Sequence, residues 1–525
     1  MSSDPFDTLP LAFAGFRLAY FLIGLLGLYA LWRRPRPTGA VALLLGLNVA
    51  AWAAYVAPLG RLYALDDVRD RAFNVGMAAC VAAGNSPWDH VQVGYASLEP
   101  FWDVLVAALA LFDPARVMAI YHWVPVLALV VVTLGLYRGL GVAENDAWER
   151  VLMVFAVLGL SSFTASPEPP VPPLWAGNFL LKPNHATGWG VAAIVLGLRA
   201  RRAPWWVQGL VLGLLAWVFL LHWAFVAAGL VLAEWLRRPE ERRVKDLVFS
   251  LGVSSLVALP EILNLARDFS PFGQGDSRDQ VWAMAQIGQV LALPHWVTLD
   301  LGPLFVLGIG GAVVLRRRGL DRDHLLLGLL LATWLLWLAL ALASPFGIAP
   351  EPDELHYFLR FAMALTAGAA LAGIARHIEK VLPLGPGQGS VLVMAAFLVL
   401  TFPAYWDPPT MDRYYQWSLP PLDPKVVEYG TWVRENTPPD AVFLAGPLSS
   451  SWIPVLSGRR VLLTGDARPP SDYRERKETE RLLLRSSDAE AIQRAARAAG
   501  ISFLAIDRPL SRAYGLENMR PEWGA

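Results

Sequence analysis

The sequence is poor in cysteine and in charge. Its 525 residues include one cysteine, Cys80, which excludes an intrachain disulfide framework. Only 17% of the residues are charged, against roughly a quarter in an ordinary soluble domain. Forty-four basic residues balance forty-four acidic ones, so net charge indicates no nucleic-acid partner. With 55% hydrophobic residues, the composition is that of an integral membrane protein.

Several catalytic signatures are also absent. The sequence contains no Walker-type glycine loop, no G-x-S-x-G nucleophile elbow and no H-E-x-x-H zinc motif. The glycine-rich run PLGPGQGS at 383–390 follows no predicted strand, so it predicts a cytoplasmic linker. No soluble nucleotide-sugar domain is visible, which excludes a conventional soluble transferase.

Apolar runs dominate the first three quarters of the chain. A spanning helix needs about 20 residues, and about twelve runs in residues 1–404 approach that length. The first run, Leu9–Trp32, is too long for a cleaved signal segment, so we expect a retained helix. Around His222 the pattern permits either two short helices that meet at a turn or one long helix.

Lysine and arginine collect in short loops on one side of this predicted bundle. The basic loops are Arg33–Arg36, Arg199–Arg202, Arg237–Lys245, Arg316–Arg322 and Arg376–Lys380. Cytoplasmic loops hold such residues in excess. The longer loops opposite them, which include Arg61–Pro100, are therefore predicted to face outward, as is the C-terminus.

The composition becomes polar in residues 405–525. Three short apolar runs there predict buried strands between charged helices, at Ala441–Ala445, Arg460–Leu463 and Ile501–Ile506. The sequence thus predicts a mainly α protein. Its polytopic transmembrane helix bundle, of about twelve spans, occupies residues 1–404, and a small extracytoplasmic α/β domain occupies 405–525.

The first large outer loop, at 60–100, begins with adjacent carboxylates, Asp66 and Asp67. A carboxylate at the lipid boundary can take a proton from an acceptor hydroxyl, so the pair is a candidate general base. Aspartates at a helix start also serve as caps, which is the competing interpretation. After this pair comes Glu99–Phe112, which is too short to span and predicts an interfacial helix.

Candidate phosphate-binding residues lie near other predicted outer turns. Lys182 and His185 lie where a loop re-enters the bundle and can pair with phosphate oxygens, although Lys182 can also snorkel to the headgroups. His222 is either a further ligand or a hydrogen-bonded structural residue. Arg360 falls about one turn inside an apolar helix, where a charge costs roughly 2.5–3.5 kcal/mol and usually faces a cavity or a partner. We interpret it as an anion-binding residue.

An acidic trio precedes that arginine. Glu351, Asp353 and Glu354 can form ion pairs with Arg360, or their oxygens can bind a divalent cation such as Mg²⁺ or Mn²⁺. The sequence indicates no other cofactor.

These segments together resemble the C-type glycosyltransferase (GT-C) superfamily, whose multi-spanning members use polyprenyl-phosphate sugar donors. The matching segments are the Asp66-Asp67 pair, GNSPWDHVQVGYASLEPFWDVL, PNHATGWGVAAIVLGL, HYFLRFAMALTAGAALAG and WVRENTPPDAVFLAGP. In many members the carboxylate loop follows the first helix. Here it follows the second predicted helix, so the chain carries an extra N-terminal span.

The resemblance implies an inverting hexosyl or pentosyl transfer to an acceptor hydroxyl on a glycan, lipid or protein, with no covalent enzyme intermediate. It implies that Asp66 or Asp67 is the base and that Lys182, His185 and Arg360 hold the donor phosphate. It also implies a bacterial cytoplasmic (inner) membrane protein of the cell envelope, with its site and C-terminal domain on the outer side.

Three other functions remain open from the sequence. Twelve spans with buried charge also suit a transporter or flippase of a lipid-linked sugar, although no matching halves are visible. The chain can also be a polymerase or ligase of surface polysaccharide. The third function is that of a non-catalytic assembly subunit. In that case the Asp66-Asp67 pair only caps a helix.

Overall fold

The computed structural model is mainly helical, with a few short strands. It describes residues 5–62, 70–93, 99–121, 123–141, 147–159, 183–268, 301–343, 352–401, 424–446, 449–463, 473–486 and 488–514. The chain forms two compact units. The bundle unit comprises Met1–Val56, Pro125–Glu261 and Pro271–Gln416, and the α/β unit comprises Ala57–Val124, Ile262–Ser270 and Trp417–Ala525. The predicted boundary at 404/405 stays a prediction, since the two units do not follow the order of the chain.

The helices of the first half of the chain are α1 (Pro5–Arg33), α2 (Pro37–Leu62), α3 (Asp70–Ala82), α4 (Phe101–Leu109), α5 (Pro114–Tyr121), α6 (Val124–Leu134) with a π-helical continuation (Gly135–Gly139), α7 (Ala147–Leu158), α8 (Pro183–Ala200), α9 (Trp205–Val218), α10 (Leu220–Leu236) and α11 (Val244–Asp268). A 3₁₀ turn, Pro239–Glu241, lies between the last two.

The second half continues with α12 (Pro303–Arg318), α13 (Asp321–Ala343), α14 (Pro352–Val381), α15 (Gln388–Thr401), α16 (Pro424–Asn436), β1 (Val442–Ala445), α17 (Ser449–Ser457), β2 (Arg460–Val461), α18 (Tyr473–Arg485), α19 (Ala489–Ala498), β3 (Phe503–Ala505) and α20 (Arg508–Tyr514).

Within the described residues, three helices are long and apolar enough to cross a membrane: Val244–Leu265, Asp321–Ala339 and Phe358–Val381. The number rises to four if α4 and α5, which meet at 112°, count as one bent span. Six further helices contribute apolar stretches of 10–17 described residues, among them Phe21–Arg33 of α1 and Pro37–Ala50 of α2. The predicted count of about twelve spans is therefore not confirmed. The prediction that the chain is mainly helical and apolar is confirmed.

Helix α14 is the central element of the bundle unit. Residues Phe358–Ala369 are all buried, and the helix packs against α7, α12, α13 and α15. Along α12, Gly308 and Gly311 face Met363 and Thr366 of α14, and a Cβ at Gly311 would overlap the carbonyl of Thr366. Small residues thus let these two backbones approach closely.

The structure decides the alternative around His222. Helix α9 ends at Val218, Phe219 has an extended backbone (φ −163°, ψ 108°), and α10 begins at Leu220. There are consequently two helices here, and His222 lies in the first turn of the second.

Arginines from four of the predicted basic loops meet buried carboxylates of the bundle unit. Glu149 of α7 accepts hydrogen bonds from Arg318 (2.6 Å), Arg322 (2.8 Å) and Arg376 (3.4 Å). A second buried acid, Glu234, pairs with Arg199 and Arg237, both at 2.5 Å, and a third, Asp323, pairs with Arg318 at 2.8 Å. Since Glu149 is only 3% exposed, the first group links α7, α12, α13 and α14 through one buried acid.

In the α/β unit, the three predicted strands are confirmed as a parallel sheet of order β2-β1-β3. Phe443 of β1 stacks on Phe503 of β3 with ring centroids 5.1 Å apart. The interior of the unit is formed by Val433, Ala441, Phe443, Ala445, Ile453, Val461 and Ala505.

The predicted helix at Glu99–Phe112 is confirmed as α4, Phe101–Leu109. Leu111 and Phe112 follow with φ of 56° and 55°, and Pro114 begins α5. That α4 lies on a membrane surface remains a prediction.

Candidate functional site

Several predicted site residues lie outside the described residues. These are Asp66, Asp67, Lys182 and Glu351. Asp353 and Glu354 belong to the first turn of α14, but their side chains are outside the described part of the structure. The roles assigned to all six stay predictions.

Two of the predicted phosphate-binding residues meet inside the bundle unit. His185, in the first turn of α8, and His222, in the first turn of α10, are 1% and 0% exposed. Nδ1 of His185 lies 3.2 Å from Nε2 of His222. A proton must lie between these two nitrogens, because two lone pairs facing each other would repel.

The other ring nitrogen of His222 has no such partner. Nδ1 of His222 is buried and forms no hydrogen bond with any described residue. If the proton of His222 is on Nδ1, then Nε2 accepts from His185 and Nδ1–H stays available to a further acceptor. A buried donor without a partner costs about 1–3 kcal/mol, which a bound acceptor would offset.

Gly188 packs directly against this nitrogen. It lies three residues after His185 on α8, and a Cβ at this position would fall on Nδ1 of His222. Only glycine lets α8 approach the imidazole so closely. The glycine within the sequence PNHATGW is therefore part of the geometry of the histidine pair.

Aromatic rings join α14 to the histidine pair. Phe219 lies 4.2 Å from the His185 ring, and Phe358 of α14 lies 4.7 Å from the His222 ring. One turn along α14, Phe361 stacks on Trp189 of α8 at 4.9 Å and 14°. These contacts fix α14 against α8 and α10.

Arg360 is on the same turn of α14, between Phe358 and Phe361, and is 7% exposed. The structure therefore brings His185 and His222 into contact and places Arg360 two residues from a ring that packs on His222. Imidazole N–H and guanidinium groups are both hydrogen-bond donors, and Arg360 is always charged. Either kind of donor can bind a phosphate or carboxylate, but residues two apart on a helix lie on different faces, so this spacing alone does not place Arg360 against His222.

Sequence reasoning missed the pairing and the aromatic contacts. His185 and His222 are 37 residues apart, and no local pattern links them. The available signal was that both histidines occupy the first turn of an apolar helix at the same predicted side of the bundle.

A metal centre has less support. Among the described residues, no group of three or more His, Cys, Asp or Glu side chains is arranged to hold a metal ion. Glu351 and the side chains of Asp353 and Glu354 lie outside the described residues.

No protein-family model and no curated protein matches the chain. Among solved structures it is similar to the oligosaccharyltransferase of Archaeoglobus fulgidus. The apo form has 13% identity and a TM-score of 0.49, over 93% of this chain and 69% of that one. The form tethered to an acceptor peptide has 12% identity and a TM-score of 0.46, over 83% of this chain and 64% of that one. The form with an inhibitory peptide and a dolichol-phosphate has 13% identity and a TM-score of 0.45, over 83% of this chain and 65% of that one. The chain thus spans just under two thirds of the length of these two complexes.

Proposed function

We propose that the protein is an integral membrane glycosyltransferase. It moves a hexosyl or pentosyl group from a polyprenyl-phosphate donor to an acceptor hydroxyl, with inversion, on the outer face of a bacterial inner membrane. The observation that carries the proposal is the buried His185–His222 pair, in which Nδ1 of His222 has no hydrogen-bond partner among the described residues. Polar groups buried in an apolar bundle are costly and commonly mark a substrate site.

The phosphate would bind to these groups. When the bond between the sugar and the phosphate breaks, negative charge grows on the phosphate oxygen that leaves. N–H donors that are already positioned stabilise this charge more in the transition state than in the ground state. His222 Nδ1–H and the Arg360 guanidinium would supply two such donors, and Lys182 and His185 would complete the phosphate site.

The acceptor would enter from the opposite face of the sugar. Asp66 or Asp67 would take the proton of the acceptor hydroxyl as its oxygen attacks the anomeric carbon. The new bond forms as the phosphate leaves, so configuration inverts and no covalent enzyme intermediate forms. The acceptor is a glycan, a lipid or a protein, and the rival function is transport of the same lipid-linked sugar.

Arg360→Gln is expected to lower kcat/KM for the donor roughly 10- to 150-fold, because a hydrogen bond to a charged group contributes about 1.5–3 kcal/mol. The measurement is transfer of radiolabelled sugar from a polyprenyl-phosphate donor by the purified full-length protein, over a range of donor concentrations. Arg376→Gln is the matched control, since Arg376 lies sixteen residues along the same helix, about 24 Å away, and is 52% exposed.

An unchanged kcat/KM for the donor in Arg360→Gln would remove this arginine from the phosphate site. A wild-type protein that binds the donor and moves it across vesicles, with no transfer to any acceptor, would establish transport as the function.

Treatment with EDTA decides between the two roles of the acidic trio. If Glu351, Asp353 and Glu354 hold a cation, transfer is lost on chelation and returns with Mg²⁺ or Mn²⁺. If the trio only forms ion pairs with Arg360, chelation leaves transfer unchanged. The phosphate assignment above predicts a positive, cation-independent site, so we expect turnover to persist in EDTA.

A further inference from the structure

A segment of the first outer loop belongs to the sheet of the C-terminal domain. The N–H of Val461 in β2 donates to the carbonyl of Val91 (2.9 Å), and the N–H of Val93 donates to the carbonyl of Val461 (3.0 Å). Gln92 pairs with Val461 in parallel register. Residues 91–93 thus occupy a fourth position, outside β2, in the sheet of order β2-β1-β3.

The helix before this segment packs on the same domain. Gly76 of α3 faces Pro454 of α17. Gly458, which follows α17, has φ of 69°, and a Cβ there would lie 2.5 Å from the carbonyl oxygen of Ala79. The position requires glycine for two reasons, since a side chain would be strained by the backbone conformation and would collide with α3.

Polar contacts extend this interface along the loop. The side-chain amide of Asn85 donates to the carbonyl of Gly458 (3.5 Å), and Arg460 forms an ion pair with Asp89 (3.6 Å). On the domain side, buried Arg459 donates to the carbonyls of Arg434 and Thr437, both at 2.8 Å. The strip Gly458–Val461 is therefore held rigidly by its own domain before it meets the loop.

We propose that the C-terminal domain is a clamp that positions the catalytic loop. The strip Gly458–Val461 holds α3 and residues 85–93, and α3 begins three residues after Asp67 in the sequence. Turnover depends on this loop being held, and Val461, Gly458 and Arg460 are positioning residues for it. This inference rests on the proposed function, and it assigns the domain a role in turnover and not in donor binding.

Cys80 gives a readout that does not depend on activity. It is the sole cysteine of the chain, it is 1% exposed, and its Sγ lies 3.9 Å from the carbonyl of Arg459. Burial raises the pKa of its thiol to about 12, so in the closed clamp it is both covered and protonated. A maleimide reacts with thiolate, and its rate at neutral pH therefore reports how often the clamp opens.

Val93→Pro in the full-length protein is the decisive variant. Proline removes the N–H that donates to Val461, whereas the matched control Val93→Ala keeps that N–H and loses only side-chain atoms. We expect Cys80 of Val93→Pro to react roughly 5- to 150-fold faster than in wild type, which is the effect of losing one buried hydrogen bond. We also expect turnover to fall in Val93→Pro while the donor KM stays unchanged.

A charge reversal tests the clamp without a backbone change. Arg460→Glu places two carboxylates together and is expected to accelerate Cys80 labelling up to roughly fivefold, the range of exposed ion pairs. Adding Asp89→Arg restores both labelling and turnover. A cooperative thermal unfolding transition in each variant is the control that the protein is folded.

Each result is decisive. Wild-type labelling in both Val93→Pro and Arg460→Glu would overturn the clamp. Fast labelling with full turnover would overturn the positioning role. An absence of transfer by the wild-type protein would overturn the proposed function and with it the positioning role, while Cys80 labelling would still report the clamp itself.

Discussion

Asp67→Asn is expected to lower sugar transfer by a factor of roughly 10²–10⁴, the usual contribution of a general base. The substitution preserves size and hydrogen-bonding capacity but leaves an amide that cannot accept the proton of the acceptor hydroxyl. The donor KM and the melting temperature should stay near those of the wild-type protein. The measurement is turnover with radiolabelled donor at saturating donor and acceptor.

The same substitution separates the two interpretations of the Asp66-Asp67 pair. Asparagine caps a helix about as well as aspartate does, so a pure capping role predicts normal turnover in Asp67→Asn. Asp66→Asn is the matched variant, and the one of the two that loses turnover identifies the base. Normal turnover in both variants would reject a base at this position and favour the capping role of the pair.

The α/β unit was the most predictable part of the fold. Its strands are short apolar runs, such as Ala441–Ala445, set between charged helical segments, and both patterns are local. The break between α9 and α10 was not predictable in the same way. Phe219 lies in the run VFLLHW with no proline or glycine to mark a boundary, so only tertiary packing determines the extended residue.

The candidate site also has a part that the sequence predicts and a part that depends on tertiary packing. His185, His222 and Arg360 could be found singly, because a polar residue in an apolar helix is conspicuous in the sequence. Their contacts depend on Gly188 and Phe358, whose role appears only when α8, α10 and α14 are packed together. The pairing of residues 91–93 with β2 joins segments almost 370 residues apart, and no sequence pattern indicates it.

Glu149→Gln is expected to destabilise the bundle unit by about 3–5 kcal/mol, which is the usual effect of breaking a buried ion pair from one side. Glu149 is 3% exposed and accepts from Arg318 through both of its oxygens, at 2.6 and 2.9 Å, and from Arg322 at 2.8 Å. Glutamine fills the same space but carries no charge, so two guanidinium groups lose their main counter-charge. Arg318 keeps Asp323 (2.8 Å) as a partner, which limits the loss at that residue.

The control for this prediction comes from the same network. Arg376 contacts Glu149 at 3.4 Å but is 52% exposed, so Arg376→Gln should cost at most about 1 kcal/mol. Denaturant or thermal unfolding of the detergent-solubilised protein measures both variants side by side. Equal effects of the two substitutions would mean that Glu149 is as well solvated as a surface carboxylate. A much larger effect of Glu149→Gln would instead make this acid the point at which α7, α12, α13 and α14 are held together, because its carboxylate pairs with an arginine from each of the other three helices.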